Sequence, residues 1–284
     1  MLYGTSRVAS RTPFYIVGLA FLFVISFSLP LLFTFKFGGT LTTSSQSAAD
    51  ADAIFPEYTA VQSSGQRIEI EHAAALNPQP GEDFILSGWF KFARPLQPKE
   101  KVLLIGKNDA LAEPQSGYII GLARDTDTVR PIVYWGDEKK GKWYSFADIA
   151  IAPQSWVMLA LSFQDGKYLG MHAATIGADG KAELKLLGGY EVEDGVHPSS
   201  SGPLLLGAWG EGKFKGRVGP FGLFSKSGIG DDLKNVLKSL SRSPQEIPSS
   251  LSQDEVMLWA PRGLKDESAA QRNVQLLATP RKRG

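Results

Sequence analysis

The chain has 284 residues, of which 43% are hydrophobic and 21% charged, so it is long enough for one sizeable folded domain with additional segments. Its net charge of +1 does not favour nucleic acid as a partner. The absence of cysteine excludes disulfide bonds, thiolate metal sites and cysteine nucleophiles, and the three histidines lack the spacing of metal ligands.

A long apolar stretch near the N-terminus predicts a membrane span. Residues 13–36 carry no charge before Lys36, and at about 1.5 Å per residue they extend roughly 35 Å, enough to cross a hydrocarbon core. The alternative is a cleaved signal peptide, but its apolar region is usually only about 7–15 residues long. Arg7 and Arg11, within residues 1–12, favour a cytoplasmic N-terminus. We therefore expect a single-pass protein of the cell (inner) membrane, in contact with lipid through residues 13–36, whose C-terminal domain is periplasmic or extracellular.

Residues 37–54 are small and polar, which is typical of a flexible linker, and residues 55–242 are expected to form the folded domain. The first clear pattern in this domain is GQRIEIEHAAALNPQPGEDFILSGWFKF, residues 65–92, which predicts two strands joined by a proline-containing loop. The second of these strands has bulky apolar residues on both faces. It is therefore expected inside a sheet, covered on both sides.

Many short strands separated by turn residues predict an antiparallel β-sandwich. Asp165 and Gly166 have the composition of a two-residue hairpin turn. Apolar residues at helical spacing predict one amphipathic helix over 231–240. Residues 243–284 form a C-terminal extension with two further candidate strands, 255–259 and 273–277. The candidate strands of the domain itself are 66–71, 83–92, 101–107, 117–124, 129–135, 142–149, 155–164, 167–175, 182–187, 203–209 and 213–225.

These segments follow the order of a known family. After residues 65–92, the segments VLLIGK, GYIIGL, RPIVYWGD, WVMLALSFQDGKYLGMHA, GPLLLGAW and FKGRVGPFGLFSKS resemble successive strands of the LamG-like jelly roll, within the concanavalin A-like lectin/glucanase superfamily. The resemblance covers roughly residues 58–240. Together with the N-terminal span, it implies an all-β fold: an antiparallel jelly-roll β-sandwich (concanavalin A-like/LamG-like) preceded by one transmembrane α-helix.

Two features depart from the family pattern. The family's hairpin commonly ends in an Asn-Gly turn, whereas here the corresponding strand continues through residues 172–174. The C-terminal segment MLWAPRGLKDESAAQRNVQLLATP resembles the W…D-x-S segment that often begins such domains, although here it comes last. An added strand from the C-terminal extension is therefore an open alternative.

Because the superfamily includes glucanases, catalysis has to be considered. A retaining glycosidase of this type would need carboxylates in an E-x-D-x-E strand motif. The nearest sequence, Glu69-Ile70-Glu71-His72, lacks the third carboxylate and lies on an early strand of the family pattern, so a solvated strand face is the better interpretation. We expect a protein that is not an enzyme and has no catalytic residues.

The resemblance leaves calcium binding open, because many LamG-like domains hold calcium at one rim of the sandwich. Sequence alone does not locate such a site, since calcium takes six to eight oxygen ligands from different loops. Turn formation is the simpler interpretation of the loop aspartates, which are Asp109, Asp125, Asp127 and Asp137.

Aromatic residues at strand ends are the candidates for a ligand platform, because sugars stack on exposed rings while polar groups hold their hydroxyls. Packing in the core or at an edge is the alternative for each of them. The candidate ligand-binding residues are Trp135, Asp137, Trp143, Tyr144, Trp209 and Glu211.

The sequence therefore favours a non-catalytic, membrane-anchored recognition module that presents its LamG-like domain outside the cytoplasm. Its partner would be polysaccharide, another cell-envelope glycan, or a protein. An alternative is an accessory structural subunit of a larger membrane protein complex, with a membrane-protein partner. A glucanase-like hydrolase is the weaker alternative.

Overall fold

The computed structural model describes residues 59–61, 66–108, 116–176, 180–193, 196–207, 214–261 and 265–278. The predicted cytoplasmic segment, membrane span and linker lie outside these residues. In the ranges given, no helix is both long and apolar enough to cross a membrane.

Strands dominate the described residues, as the sequence predicts. One α-helix, α1, spans Leu233–Arg242, and short 3₁₀ helices occupy Ala74–Leu76, Ile229–Asp231 and Gln253–Glu255. The strands are β1 (Thr59–Val61), β2 (Gln66–Ile70), β3 (Asp83–Phe92), β4 (Lys101–Asn108), β5 (Gly117–Arg124), β6 (Val129–Gly136), β7 (Gly141–Ser145), β8 (Trp156–Gln164), β9 (Tyr168–Ile176), β10 (Ala182–Glu191), β11 (Leu204–Gly207), β12 (Gly216–Lys226), β13 (Val256–Ala260) and β14 (Val274–Ala278).

The strands form two seven-stranded antiparallel sheets, which confirms the prediction of an antiparallel β-sandwich. The first, called the helix-side sheet, has the order β1-β12-β3-β8-β9-β10, with β13 also paired to β12. The second, called the open sheet, has the order β14-β2-β11-β4-β5-β6-β7. Side chains from the inner faces of both sheets form one large apolar cluster, which is the core of the sandwich.

β3 lies in the interior of the helix-side sheet, and all ten of its residues are buried. Phe84, Leu86 and Phe90 point into the core between the sheets. Ile85 and Trp89 point to the opposite face and pack in a second apolar cluster. This two-sided burial confirms what the sequence predicts for β3.

The second cluster is covered by α1, whose apolar side chains recur at the spacing of one helix face. Leu233, Val236 and Leu237 are buried against the sheet, and the indole Nε1 of Trp89 donates a hydrogen bond of 3.3 Å to the carbonyl of Leu240. The helix begins two residues later than predicted because residues 229–231 form a separate 3₁₀ turn.

The C-terminal extension adds one strand to each sheet. β13 pairs with β12 in the helix-side sheet, and β14 pairs with β2 in the open sheet. Between these strands the buried carboxylate of Asp266 accepts hydrogen bonds from the backbone N–H groups of Trp259 (3.1 Å), Ser268 (2.9 Å) and Arg272 (2.7 Å). The carboxylate thereby fixes the crossing from one sheet to the other.

Two elements at one edge of the sandwich differ from their predicted bounds. β7 ends at Ser145, earlier than predicted, and the backbone N–H of Ala147 instead donates to the carbonyl of Leu187 in the other sheet. β10 continues to Glu191, beyond its predicted end at residue 187, because a bulge between Leu186 and Gly188 allows pairing with β9 to resume. Both differences arise from contact between the two edge strands.

Candidate binding cleft

The edge strands β7 and β10 meet at one point and diverge from it. The backbone bond from Ala147 to Leu187 measures 3.1 Å, and the hydroxyl of Tyr190 donates to the carbonyl of Ser145. The ring of Tyr190 also packs on the ring of Tyr144, with centroids 5.2 Å apart. Beyond these contacts, towards the β6–β7 turn, the two sheets are separated by a gap.

This gap is a cleft of about 570 Å³, called the rim cleft. Its floor is formed by the apolar and aromatic side chains of Trp135, Tyr144, Val192 and Val196. Four charged residues lie around it: Lys140, Lys142, Glu191 and Glu193. A cavity of this size with an apolar floor and convergent polar groups is typical of a small-ligand site.

Trp135 forms a fixed part of the floor. Only 1% of its surface is exposed, its Nε1 donates to the carbonyl of Val196 at 3.3 Å, and its ring packs 4.5 Å from the ring of Phe163. Tyr144 is 7% exposed, and burial together with the nearby charge of Glu193 raises the pKa of its hydroxyl. These residues therefore shape the cleft and do not present free ring faces to solvent.

Charges of both signs face one another across the cleft. Lys140, in the β6–β7 turn, forms an ion pair with Glu193, which follows β10, and this pair raises the pKa of Lys140. Both side chains are more than half exposed, so the pair contributes little to stability and can rearrange around a ligand. Lys142 places its Nζ 5.5 Å from the centre of the Tyr144 ring. The near balance of charge favours a polar ligand over a strongly anionic or cationic one.

The carboxylate of Asp137, another predicted site residue, is engaged in hydrogen bonds within the β6–β7 turn. Its Oδ1 accepts hydrogen bonds from the backbone N–H groups of Lys139 (2.8 Å) and Lys140 (2.7 Å). Partial burial raises the pKa of Asp137, but these donors outweigh it and hold the pKa below its usual range. Asp137 thus positions Lys140 and is not itself placed among the residues that line the cleft.

Trp143 lies on the other face of β7. Its ring packs 5.4 Å from that of Tyr134, on the outer side of the open sheet, with the Nζ of Lys101 3.4 Å from the ring centre. Trp143 is 40% exposed and points away from the rim cleft. The structure thus brings Trp135 and Tyr144 together, while Trp209 and Glu211 lie outside the described residues.

Four charged residues of the rim cleft are absent from the set predicted from the sequence. Lys140 and Lys142 belong to the same turn and strand as the predicted aromatics, so their proximity to Tyr144 follows from strand geometry. Glu191 and Glu193 come from the other side of the cleft, at the end of β10 and just after it, beyond the predicted end of that strand at residue 187. No local sequence signal connects residues 191–193 with residues 140–144.

The loop aspartates do not gather into a calcium site in the part of the chain that is described. Asp125 forms an ion pair of 2.6 Å with Arg130, and Asp137 is held in its turn. Among the described residues, no group of three or more His, Cys, Asp or Glu side chains could hold a metal ion. Asp109 lies outside those residues.

The carboxylates nearest to a glycosidase pattern lie on β2 and just after it. Glu69 accepts a hydrogen bond of 3.1 Å from the guanidinium of Arg67, and Glu71 is exposed beyond the end of the strand. This arrangement is that of a surface ion pair.

A second cavity, of about 540 Å³, lies at the opposite end of the sandwich. Its walls are mainly aliphatic, with Leu96, Ile149 and Ile151 among them, and its arginines are held by neighbours. Arg124, for example, donates to the carbonyl of Leu96 at 2.6 Å. The exposed lining of the rim cleft is evenly divided between polar and apolar surface, whereas that of the second cavity is mostly apolar, so the rim cleft is the stronger candidate.

Comparison with models of known protein families gives no match, and comparison with curated protein sequences gives none either. Solved structures that are similar in shape include the heptameric SAP-like pentraxin of Limulus polyphemus, with a TM-score of 0.46 and 11% identity over 79% of this chain and 94% of the pentraxin. The enzymatically active domain of tailspike protein 2 of bacteriophage CBA120 gives a TM-score of 0.46 and 9% identity over 72% of this chain and 34% of that one.

The binding domain of botulinum neurotoxin serotype D is also similar, with a TM-score of 0.41 and 16% identity over 62% of this chain and 42% of that one. These TM-scores are all below 0.5, so the β-sandwich assignment rests on the strand pairing of this chain itself.

Proposed function

We propose that this chain is a non-catalytic recognition module, anchored in the membrane, whose β-sandwich lies outside the cytoplasm and binds polysaccharide or another cell-envelope glycan in the rim cleft. The observation that carries the proposal is the cleft itself, in which an apolar floor lies beneath charged groups from two sheets. A sugar chain has the matching chemistry, because its hydroxyls can donate hydrogen bonds to the carboxylates of the cleft and accept them from its lysines.

The geometry of the cleft supports a selective site. Its volume lies within the range of roughly 300–1,000 Å³ that is common for small-ligand sites. Trp135 is locked by its hydrogen bond to Val196, so the floor is largely pre-formed and little ordering is needed on binding. The exposed Lys140–Glu193 pair can exchange its mutual contact for ligand hydroxyls.

Other parts of the proposal come from the sequence. The resemblance to LamG-like jelly rolls of the concanavalin A-like superfamily suggests a binding domain, and residues 13–36 and 37–54 suggest an anchor and a tether. The absence of a catalytic role is likewise proposed, because Glu69 is engaged by Arg67 and the sequence has no third carboxylate beside it.

The first test is to extract the full-length protein in mild detergent, measure its native size and identify what co-purifies. We expect bound glycan, or a protein that binds the sandwich, to co-purify without a fixed molar ratio to this chain. A stoichiometric set of membrane proteins would instead identify an accessory structural subunit and would contradict the glycan proposal.

A matched pair of lysine variants tests the rim cleft. Lys142→Ala removes a charged donor beside Tyr144 and is expected to weaken binding to soluble peptidoglycan fragments or envelope polysaccharide roughly tenfold. Lys139→Ala removes the same charge from the adjoining β6–β7 turn, but Lys139 does not line the cleft, and we expect its affinity to stay near wild type. Binding is measured with the full chain in detergent, with calcium and with a chelator. An equal loss in both variants would indicate non-specific attraction and would contradict the site.

A further inference from the structure

The first half of β10 is an exposed strand edge. β10 is the last strand of the helix-side sheet, and in the described ranges no strand pairs with its outer edge over residues 182–186. The side chains of Glu183 and Lys185 are 69% and 62% exposed, and Leu186 is 66% exposed. The unpaired backbone groups of such an edge are a template for pairing with another strand.

The side chains on this edge are complementary to themselves. When two antiparallel copies are aligned with Leu184 opposite Leu184, the Glu183 of each copy lies opposite the Lys185 of the other. The same alignment places Leu186 opposite Ala182, on the face where Ala182 and Leu184 already pack against the apolar cluster under α1. Aligning the copies on Glu183 or on Lys185 would instead place like charges opposite each other, which is unfavourable.

We infer that two copies of this chain associate through residues 182–186 of β10, antiparallel and centred on Leu184, so that their helix-side sheets become continuous. The bulge after Leu186 limits the pairing to this segment, because the chain beyond it turns towards Ala147 of the open sheet. A strand pair this short predicts a dimer that dissociates on dilution. The dimer contact is separate from the rim cleft and leaves the cleft open in both copies.

Cysteine cross-linking tests this contact directly, because the natural chain contains no cysteine. Directly opposed residues of an antiparallel pair have Cα atoms roughly 4.5–5.5 Å apart, within the span of about 4.4–6.8 Å that a disulfide bridges. We therefore expect full-length Leu184→Cys, purified in mild detergent and gently oxidised, to form a covalent dimer.

Leu186→Cys is the matched control, since it lies on the same face of the same strand but away from the two-fold axis. Alone it should form no covalent dimer, and it should cross-link when mixed with Ala182→Cys. Failure of both Leu184→Cys and the mixed pair to cross-link would overturn the proposal. It would also be overturned if Leu186→Cys alone cross-linked as readily as Leu184→Cys.

A charge exchange tests the alignment without cysteines. Lys185→Glu places Glu183 opposite a second carboxylate in each half of the dimer, and we expect the dissociation constant to rise roughly tenfold or more. Glu183→Lys combined with Lys185→Glu restores complementary charges and should restore the dimer, as measured by sedimentation at several concentrations. A double variant that dissociates as readily as Lys185→Glu would contradict the alignment, as would a single variant that associates like wild type.

Discussion

Replacing Asp266 by alanine is expected to lower the free energy of unfolding of the sandwich by roughly 3–5 kcal/mol, because it removes one partner from a buried, charged hydrogen-bond network. The side chain of Asp266 has no exposed surface and lies 3.9 Å from the guanidinium of Arg272, which is itself only 14% exposed. The variant would leave the backbone N–H groups of Trp259, Ser268 and Arg272 without their acceptor. The guanidinium of Arg272 would keep its hydrogen bond to the carbonyl of Met257 but lose the neighbouring negative charge. Unpaired buried donors of this kind are costly.

Two further variants test whether the loss of stability comes from the Asp266 carboxylate itself or from any substitution in the C-terminal extension. Asp266→Asn keeps the shape of the side chain but turns one acceptor into a donor, so we expect a smaller loss of about 2 kcal/mol. Glu267→Ala, at the exposed neighbouring position, should change stability by less than about 0.5 kcal/mol. Chemical denaturation followed by circular dichroism measures all three. A loss below about 1 kcal/mol in Asp266→Ala would show that the extension is not held through this carboxylate.

The strands of the sandwich interior follow directly from the sequence. β3 and β8 carry apolar residues on both faces, so their period-2 pattern and two-sided burial are visible without any tertiary information. The hairpin turn between β8 and β9 can likewise be predicted from adjacent residues alone. Asp165 and Gly166 both have positive φ, 52° and 68°, as a two-residue turn of this composition requires.

Features that depend on contact between distant segments are harder to predict from the sequence. The end of β7 and the bulge in β10 arise because Ala147 and Leu187, in different sheets, form a backbone hydrogen bond. Likewise, the W…D-x-S pattern suggests that the C-terminal extension belongs to the sandwich. The pattern does not specify that β13 and β14 join different sheets, since that division depends on where Asp266 places the crossing between them.

In the candidate site, too, one part can be predicted from strand geometry and the other depends on the packing of distant segments. Trp143 and Tyr144 are adjacent in one strand, so they must point to opposite faces, and strand geometry alone separates them. Trp135 and Lys142 are paired across β6 and β7, so both lie on the face of Tyr144 and line the rim cleft. The opposite wall, formed by Glu191 and Glu193, comes from the other sheet, and only the packing of the two sheets brings it there.

Acidification is expected to destabilise the sandwich through His172, which lies between Ala160 of β8 and Leu186 of β10. Burial lowers the pKa of His172 from its ordinary value of 6.5 to about 4. As the pH falls below about 6.5, the unfolded chain binds a proton at this position while the folded chain does not, so the stability decreases until the pH reaches about 4. The difference between the two pKa values corresponds to a total loss of about 3 kcal/mol.

Comparison with His172→Gln isolates this contribution from that of the carboxylates, which titrate in the same range. Glutamine retains a polar group near the hydroxyl of Ser162, which lies 3.2 Å from Nε2 of His172, but it does not ionise. The stability of wild type should therefore fall relative to His172→Gln between pH 7 and pH 4, by about 3 kcal/mol in chemical denaturation. Ser162→Ala keeps the histidine and its burial, so it should retain the acid sensitivity of wild type. Parallel pH profiles for wild type and His172→Gln would mean that His172 is solvated and that burial does not hold it neutral.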